Sequence, residues 1–140
     1  MSEAFIGDIF PYENETYGVT IRVLPEYLEE RSEPDVRQYF WRYTIEIENG
    51  ADQTLQLCSR HWVITDARGR RQEVRGDGVV GEQPFIAPGE RYTYASGCPL
   101  NEPSGMMTGS YLMRRDDGEE FNVLVPAFSL DSPHDRTVLN

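Results

Sequence analysis

Apolar residues recur at every second position in several stretches of the chain. Val19, Ile21 and Val23 alternate with Thr20 and Arg22, and Trp41, Tyr43, Ile45 and Ile47 alternate with Arg42, Thr44, Glu46 and Glu48. Tyr92 and Tyr94, Tyr111 and Met113, and Phe121, Val123 and Val125 repeat the pattern. Successive side chains of a strand point to opposite faces, so each run predicts an antiparallel strand with one buried and one wet face. Turn residues fall between the runs: Asn49-Gly50, Asp66-Ala67-Arg68-Gly69, Pro88-Gly89 and Asp117-Gly118. Asp117-Gly118 joins two alternating runs and is the clearest hairpin signal. With no helical periodicity between the strands, the pattern predicts an all-β fold, an antiparallel β-sandwich.

One strand breaks the alternation. Leu55, Leu57, Ser59, His61 and Val63 share a parity, yet Trp62 and Ile64 are apolar on the other. Either both faces of this strand are covered, or a bulge near Arg60-His61 exchanges them. Glu26–Arg37, bracketed by Pro25 and Pro34, reads as a long charged loop between the first two strands. Residues 1–15 read as an N-terminal arm and 16–130 as the sandwich domain. Residues 131–140 form a polar tail whose Val138-Leu139 is expected to tuck back onto the sandwich.

A chain of 140 residues suits one domain. It buries about two-thirds of its unfolded surface and needs no metal or disulfide staple. Net charge is −11, and every basic residue is Arg. That balance excludes a nucleic-acid backbone and an anionic membrane surface as partners, since both demand a cationic face. No apolar run reaches membrane-spanning length. Met1–Asp8 is acidic where a secretory leader would be cationic. The expected location is therefore cytoplasmic, with Cys58 and Cys98 as thiols.

The motif that most invites a chemical reading is Gly76-Asp77-Gly78-Val79-Val80-Gly81, a GxGxxG match. In dinucleotide-binding folds such glycines lead into a helix. Here Pro84 and Pro88 follow, which forbids one. Glycine amides can also form an anion-binding nest, with Arg75 beside them, although Asp77 and Glu82 oppose an anion. The simpler reading is a loop in which glycines supply positive φ.

Cys58 and His61 are three apart, a spacing that sends strand side chains to opposite faces unless a bulge intervenes, and no second close pair of ligands follows, so no zinc site is expected. The acidic clusters Glu29, Glu30, Glu33, Asp35 and Asp116, Asp117, Glu119, Glu120 lack a ligand spacing. They read as solvated faces with at most weak divalent-cation binding. Ser59, His61 and Asp66 are neighbours in sequence only, and no nucleophile elbow is present. With no catalytic residues and no cofactor expected, the chain reads as a binding module rather than an enzyme. Its recognition surface is placed on the loop from Arg75 to Pro88, carried by Arg75, Gly76, Gly78, Gly81 and Glu82. Arg60, His61 and Trp62 are placed at its flank, Trp62 being equally suited to the core. The expected partner is another protein. Edge strands permit a weak homodimer, which the negative charge opposes, so a monomer or weak dimer is expected.

Longer segments point to a family. Tyr43–Asn49 leads into Leu57-Cys58-Ser59-Arg60-His61-Trp62-Val63-Ile64-Thr65-Asp66. Glu73-Val74-Arg75-Gly76-Asp77-Gly78-Val79-Val80-Gly81-Glu82-Gln83-Pro84 and Ala87-Pro88-Gly89-Glu90 follow. Tyr94-Ala95-Ser96-Gly97-Cys98-Pro99-Leu100, Gly109-Ser110-Tyr111 and Pro126-Ala127-Phe128-Ser129-Leu130 complete the set. From about Tyr17 onward the chain resembles the ApaG family of bacterial proteins. The resemblance implies an immunoglobulin-like, fibronectin type III-like antiparallel β-sandwich, a glycine motif without nucleotide binding, and a loose association with cobalt resistance and magnesium efflux. Similar domains serve as interaction modules in a eukaryotic F-box substrate receptor and a DNA-polymerase-delta-interacting protein. The alternative function is a sensor that binds a divalent cation, a phosphate or a nucleotide through the Gly76–Gly81 loop.

Overall fold

The alternating runs all become strands. A computed structural model describes residues 9–135. Its strands are β1 (Tyr12–Thr16), β2 (Val19–Tyr27), β3 (Tyr39–Asn49), β4 (Leu55–Asp66), β5 (Arg71–Asp77), β6 (Phe85–Ile86), β7 (Arg91–Leu100), β8 (Gly105–Arg114) and β9 (Glu120–Leu130). They form two antiparallel sheets packed face to face. One has the order β1-β2-β3-β7; the other has β5-β4-β8-β9, with β6 also paired to β4.

Register follows the hydrophobic pattern. Ile21 lies opposite Ile47 and Val23 opposite Ile45, so their buried side chains meet on the inner face. Trp41, Tyr111 and Phe128 are the largest fully buried side chains. Each Val, Ile or Leu taken wholly out of water stabilises the fold by about 1.5–3 kcal/mol, and the alternating faces supply most of this.

The irregular strand has one face buried, exchanged by a bulge. The bulge is at Cys58, two residues before the Arg60-His61 position that alternation suggested: Leu57 pairs with Met113, and Ser59 pairs with Leu112. Leu55 and Leu57 face the core before it, and Trp62 and Ile64 face the core after it. A second bulge, in β9 at Pro126-Ala127, brings Phe128 and Leu130 inward after Val123 and Val125. Proline fits there because the bulge leaves a residue outside the ladder.

Part of the N-terminal arm is a strand. Tyr17 and Gly18, both with positive φ, turn β1 into β2, the backbone twist that two-residue hairpins favour. The Glu26–Arg37 loop is shorter than expected, because β2 continues to Tyr27 and two 3-10 turns follow, at Glu29–Arg31 and Pro34–Val36. The expected contact of Val138-Leu139 lies outside the described residues.

The two lateral openings of the sandwich differ. On one side β1 is stitched to β9: Asn14 donates to the Leu124 carbonyl (3.3 Å), and the Leu124 and Ser129 amides donate to Thr16 and Tyr12 oxygens. On the other side β5 and β7 are the edge strands. Among the described residues no helix is long and apolar enough to cross a membrane.

Candidate functional site

The glycine motif begins at the end of edge strand β5 and runs into the connection to β6. Each of its glycines is required for a different reason. Gly76 lies opposite Arg60 in the ladder, and a Cβ there would sit 2.8–2.9 Å from the guanidinium. Gly78 has φ +60, and a Cβ there would overlap the Glu82 carbonyl oxygen. Gly81 has φ +83 and open space around it, so its demand is conformational alone.

The loop is held from within. Gly78 N–H donates to the Cys58 carbonyl (2.9 Å), Val79 N–H to Glu82 (2.8 Å) and Glu82 N–H to Val79 (2.9 Å). The Arg60 guanidinium donates to the carbonyls of Asp77 (3.1 Å) and Gly78 (2.9 Å), and Gln83 Nε2 donates to that of Cys58 (2.7 Å). The bulge at Cys58 therefore turns its carbonyl toward the loop, where it accepts two of these bonds. The amides of Gly78, Val79 and Glu82 already donate inside the protein and are withdrawn from an anion nest.

Val79 is fully buried and anchors the loop in the core, whereas Val80 is 55% exposed at φ 43. A β-branched residue in the left-handed region is rare and costs about 1–2 kcal/mol. Just beyond, Phe85 is 70% exposed and lines a shallow depression with Gln56, Arg114 and Arg115. The Glu82 carboxylate accepts the Tyr92 hydroxyl (2.9 Å), and burial together with that carboxylate raises the Tyr92 pKa.

The flanking trio is divided by the strand's alternation. Trp62 is 2% exposed and packs edge-on against Tyr43, Tyr111 and Phe128, so it belongs to the core and is withdrawn from any partner. Arg60 points to the same side and clamps the loop. His61 points outward, opposite Arg75 in the ladder. Its Nε2 lies 2.7 Å from Glu73 Oε1, and that hydrogen bond holds the Glu73 carboxyl below its ordinary range. His61 and Arg75 line an open concavity of about 380 Å³ with Ser59, Ser110 and Asn122. The residues proposed from sequence thus occupy three places: the loop, the outer sheet face and, for Trp62, the core.

Pattern reading missed two clusters. Beneath Arg60, the hydroxyls of Tyr94 and Tyr111 share a short hydrogen bond. Burial raises the pKa of both and of Tyr43, against the opposing influence of Arg60. Alternation identified these tyrosines as inward-facing but gave no hint that β7 and β8 join at their hydroxyls. At the far end, the buried Glu102 carboxylate receives Arg37 (2.7 Å), Arg70 (2.9 Å) and Arg68 (3.4 Å). The sequence signal was a lone Glu between turn residues, insufficient to find its arginines.

The potential metal ligands separate. Cys58 and Cys98 are buried free thiols on different sheets. His134 lies against Tyr27 and Tyr39, with Nε2 3.1 Å from Glu29.

This bulge-and-loop arrangement coincides with a known domain: residues 29–115 match the family model DUF525, the ApaG domain. The chain belongs to the ApaG family. It is 57% identical over 129 residues to Protein ApaG of Afipia carboxidovorans, covering 92% of this chain and 99% of that protein. Protein ApaG of Maricaulis maris is 56% identical over the same shares. Among solved structures, a Bordetella pertussis protein described as ApaA superposes with a TM-score of 0.81 at 45% identity, over 86% of this chain and 98% of that one. The C-terminal domain of wzt shares the fold alone, with a TM-score of 0.52 at 10% identity over 89% and 78% of the two chains. The ApaG relationship covers both the glycine loop and the strand that clamps it.

Proposed function

We propose that the chain is a non-catalytic cytosolic interaction module of ApaG type that recognises another protein through the Arg75–Pro88 loop. The observation that carries this reading is Val80. A strained, β-branched, solvent-exposed side chain is held outward by a turn whose neighbouring residue, Val79, is buried in the core. Backbone strain at an exposed position points to a use for that position. Phe85 adds a second exposed apolar side chain to the same connection. Rigid presentation lowers the ordering cost of association. The internal commitment of the Gly78, Val79 and Glu82 amides favours this reading over a phosphate or nucleotide sensor. The family's association with cobalt resistance and magnesium efflux is then carried by the protein bound.

The test is affinity capture from cell extract with three baits: wild type, Val80→Glu/Phe85→Ala, and Val36→Glu as an exposed control on the Pro34–Val36 turn. All three are first shown to unfold alike in urea. A partner kept by wild type and Val36→Glu but lost by the loop variant is the expected result. A partner retained by the loop variant removes the loop as the recognition surface. A rise in melting temperature with millimolar Mg²⁺ or Co²⁺ would favour the cation-sensor alternative.

A further inference from the structure

Strand β5 is the outermost strand of its sheet, and every one of its residues except Gly76 is exposed. A free edge offers unpaired amides and carbonyls to another strand. The neighbouring edge β7 carries Pro99, which lacks an N–H and interrupts a ladder, whereas β5 has no proline. Strand β5 reads Arg71-Gln72-Glu73-Val74-Arg75-Gly76-Asp77. Arg71, Glu73, Arg75 and Asp77 lie opposite Thr65, Val63, His61 and Ser59, so all four face the outer side of the sheet. Val74, opposite buried Trp62, faces the other way.

This order of charges is self-complementary. When two copies of β5 run antiparallel about a twofold axis at Val74, Arg71 of one copy lies opposite Asp77 of the other, and Glu73 lies opposite Arg75. Symmetry repeats each pair, and all fall on one face, where directly opposed side chains are about 4.5–5.5 Å apart. Moving the axis one residue either way sets Glu73 against Glu73 or Arg75 against Arg75. The charges therefore select one register. We infer that β5 is a homodimerisation edge, joining the second sheets of two copies into one continuous sheet centred on Val74. The partner is a second copy of this chain; the edge shares Arg75 and Asp77 with the start of the proposed loop surface but does not involve Val80 or Phe85. The acidity of the whole molecule opposes the approach of two copies, and salt of about 0.1 M screens that repulsion beyond roughly 10 Å while leaving the contact pairs in place.

Sedimentation equilibrium at about 0.1 M salt tests this with Glu73→Arg, Arg75→Glu, the double exchange, and an equimolar mixture of the two single variants. Both sites are exposed, so the fold is retained, and circular dichroism verifies it. Wild type is expected to dimerise reversibly. Each single reversal turns two attractive pairs repulsive and weakens the dimer about tenfold or more. The double exchange restores complementarity and the dimer. The mixture forms heterodimers, because the E73R strand is cationic at both positions 73 and 75 and the R75E strand is anionic at both. A wild type that stays monomeric at millimolar concentration overturns the inference, as does a dimer indifferent to the single reversals or one the double exchange fails to restore.

Discussion

Gly76 and Arg60 give the sharpest test of how the loop is held. The Arg60 guanidinium occupies the space above Gly76 and donates to the carbonyls of Asp77 and Gly78 at 3.1 and 2.9 Å. Replacing Arg60 by Ala removes both bonds; at roughly 1 kcal/mol each for partly exposed hydrogen bonds, the loss is about 2 kcal/mol. Replacing Gly76 by Ala puts a methyl group 2.8–2.9 Å from the guanidinium. The guanidinium must move, and the same bonds are lost or stretched. Against that, Ala is better than Gly in a strand by about 0.5–1 kcal/mol, leaving a net loss of about 1–1.5 kcal/mol. With Arg60 already absent, only the favourable part remains. Gly76→Ala is therefore expected to destabilise the wild type and to stabilise Arg60→Ala, with a coupling of about 2 kcal/mol. Urea unfolding of the four proteins measures the cycle, and thermal midpoints should follow at roughly 4 °C per kcal/mol for a chain of this size. Additive effects within about 0.5 kcal/mol would refute the clamp.

The other two glycines separate clash from conformation. Gly78→Ala must displace the Glu82 carbonyl and with it the Val79–Glu82 turn, at a cost of about 3 kcal/mol or more, whereas Gly81→Ala costs only about 1–2 kcal/mol for the left-handed conformation. Equal losses in urea unfolding would contradict this. Burial raises the Cys98 thiol from 9.0 to about 11. The native state thus keeps a proton that the unfolded state releases, so the stability from this group is complete below pH 9.0 and declines as pH rises toward about 11. Cys98→Ala should flatten that part of the stability profile, and native Cys98 should resist iodoacetamide at about pH 8, near the ordinary thiol range, far better than the unfolded chain. Rapid native alkylation would contradict the burial.

The sandwich was legible because its central strands are wet on one side only. Val19–Val23 and Trp41–Ile47 each state an apolar face and a polar face, and the structure places the apolar faces as read, while Glu46 on the other face is buried in its ion pair with Arg22. β5 was missed because it has no buried face of that kind: Arg71, Glu73, Arg75 and Asp77 face solvent, and Gln72 and Val74 are exposed as well. An edge strand wet on both faces leaves no period-2 signal. β1 was missed for a related reason, since its turn uses Tyr17-Gly18 rather than an Asn-Gly pair. Trp62 and Ile64 on the wrong parity allowed either a strand covered on both faces or an exchange by a bulge, and pattern alone could neither choose between them nor locate the extra residue. Cys58 is itself buried, and so it disguised the point of exchange. The candidate loop was found from its glycines. Its exposed face was not, because Val80 and Phe85 look in sequence like core residues, and only the left-handed backbone at Val80 and the short β6 turn them outward. Arg60, His61 and Trp62 were read as a unit because they are contiguous, and the strand separates contiguous residues by construction.

The stitch between β1 and β9 bears on how the chain is made. Asn14 and Leu124, Thr16 and Leu124, and Tyr12 and Ser129 meet across 108 to 117 residues, and β4 waits for β8 before both of its edges are covered. On a ribosome adding about 5–20 residues per second, none of these contacts forms until nearly the whole chain has emerged. For several seconds the nascent chain exposes β-strands whose partners have not been synthesised, a state that invites pairing with other chains. Its yield in a cell should therefore depend on elongation rate and on chaperones near the exit tunnel, although the finished domain is small enough to fold unaided.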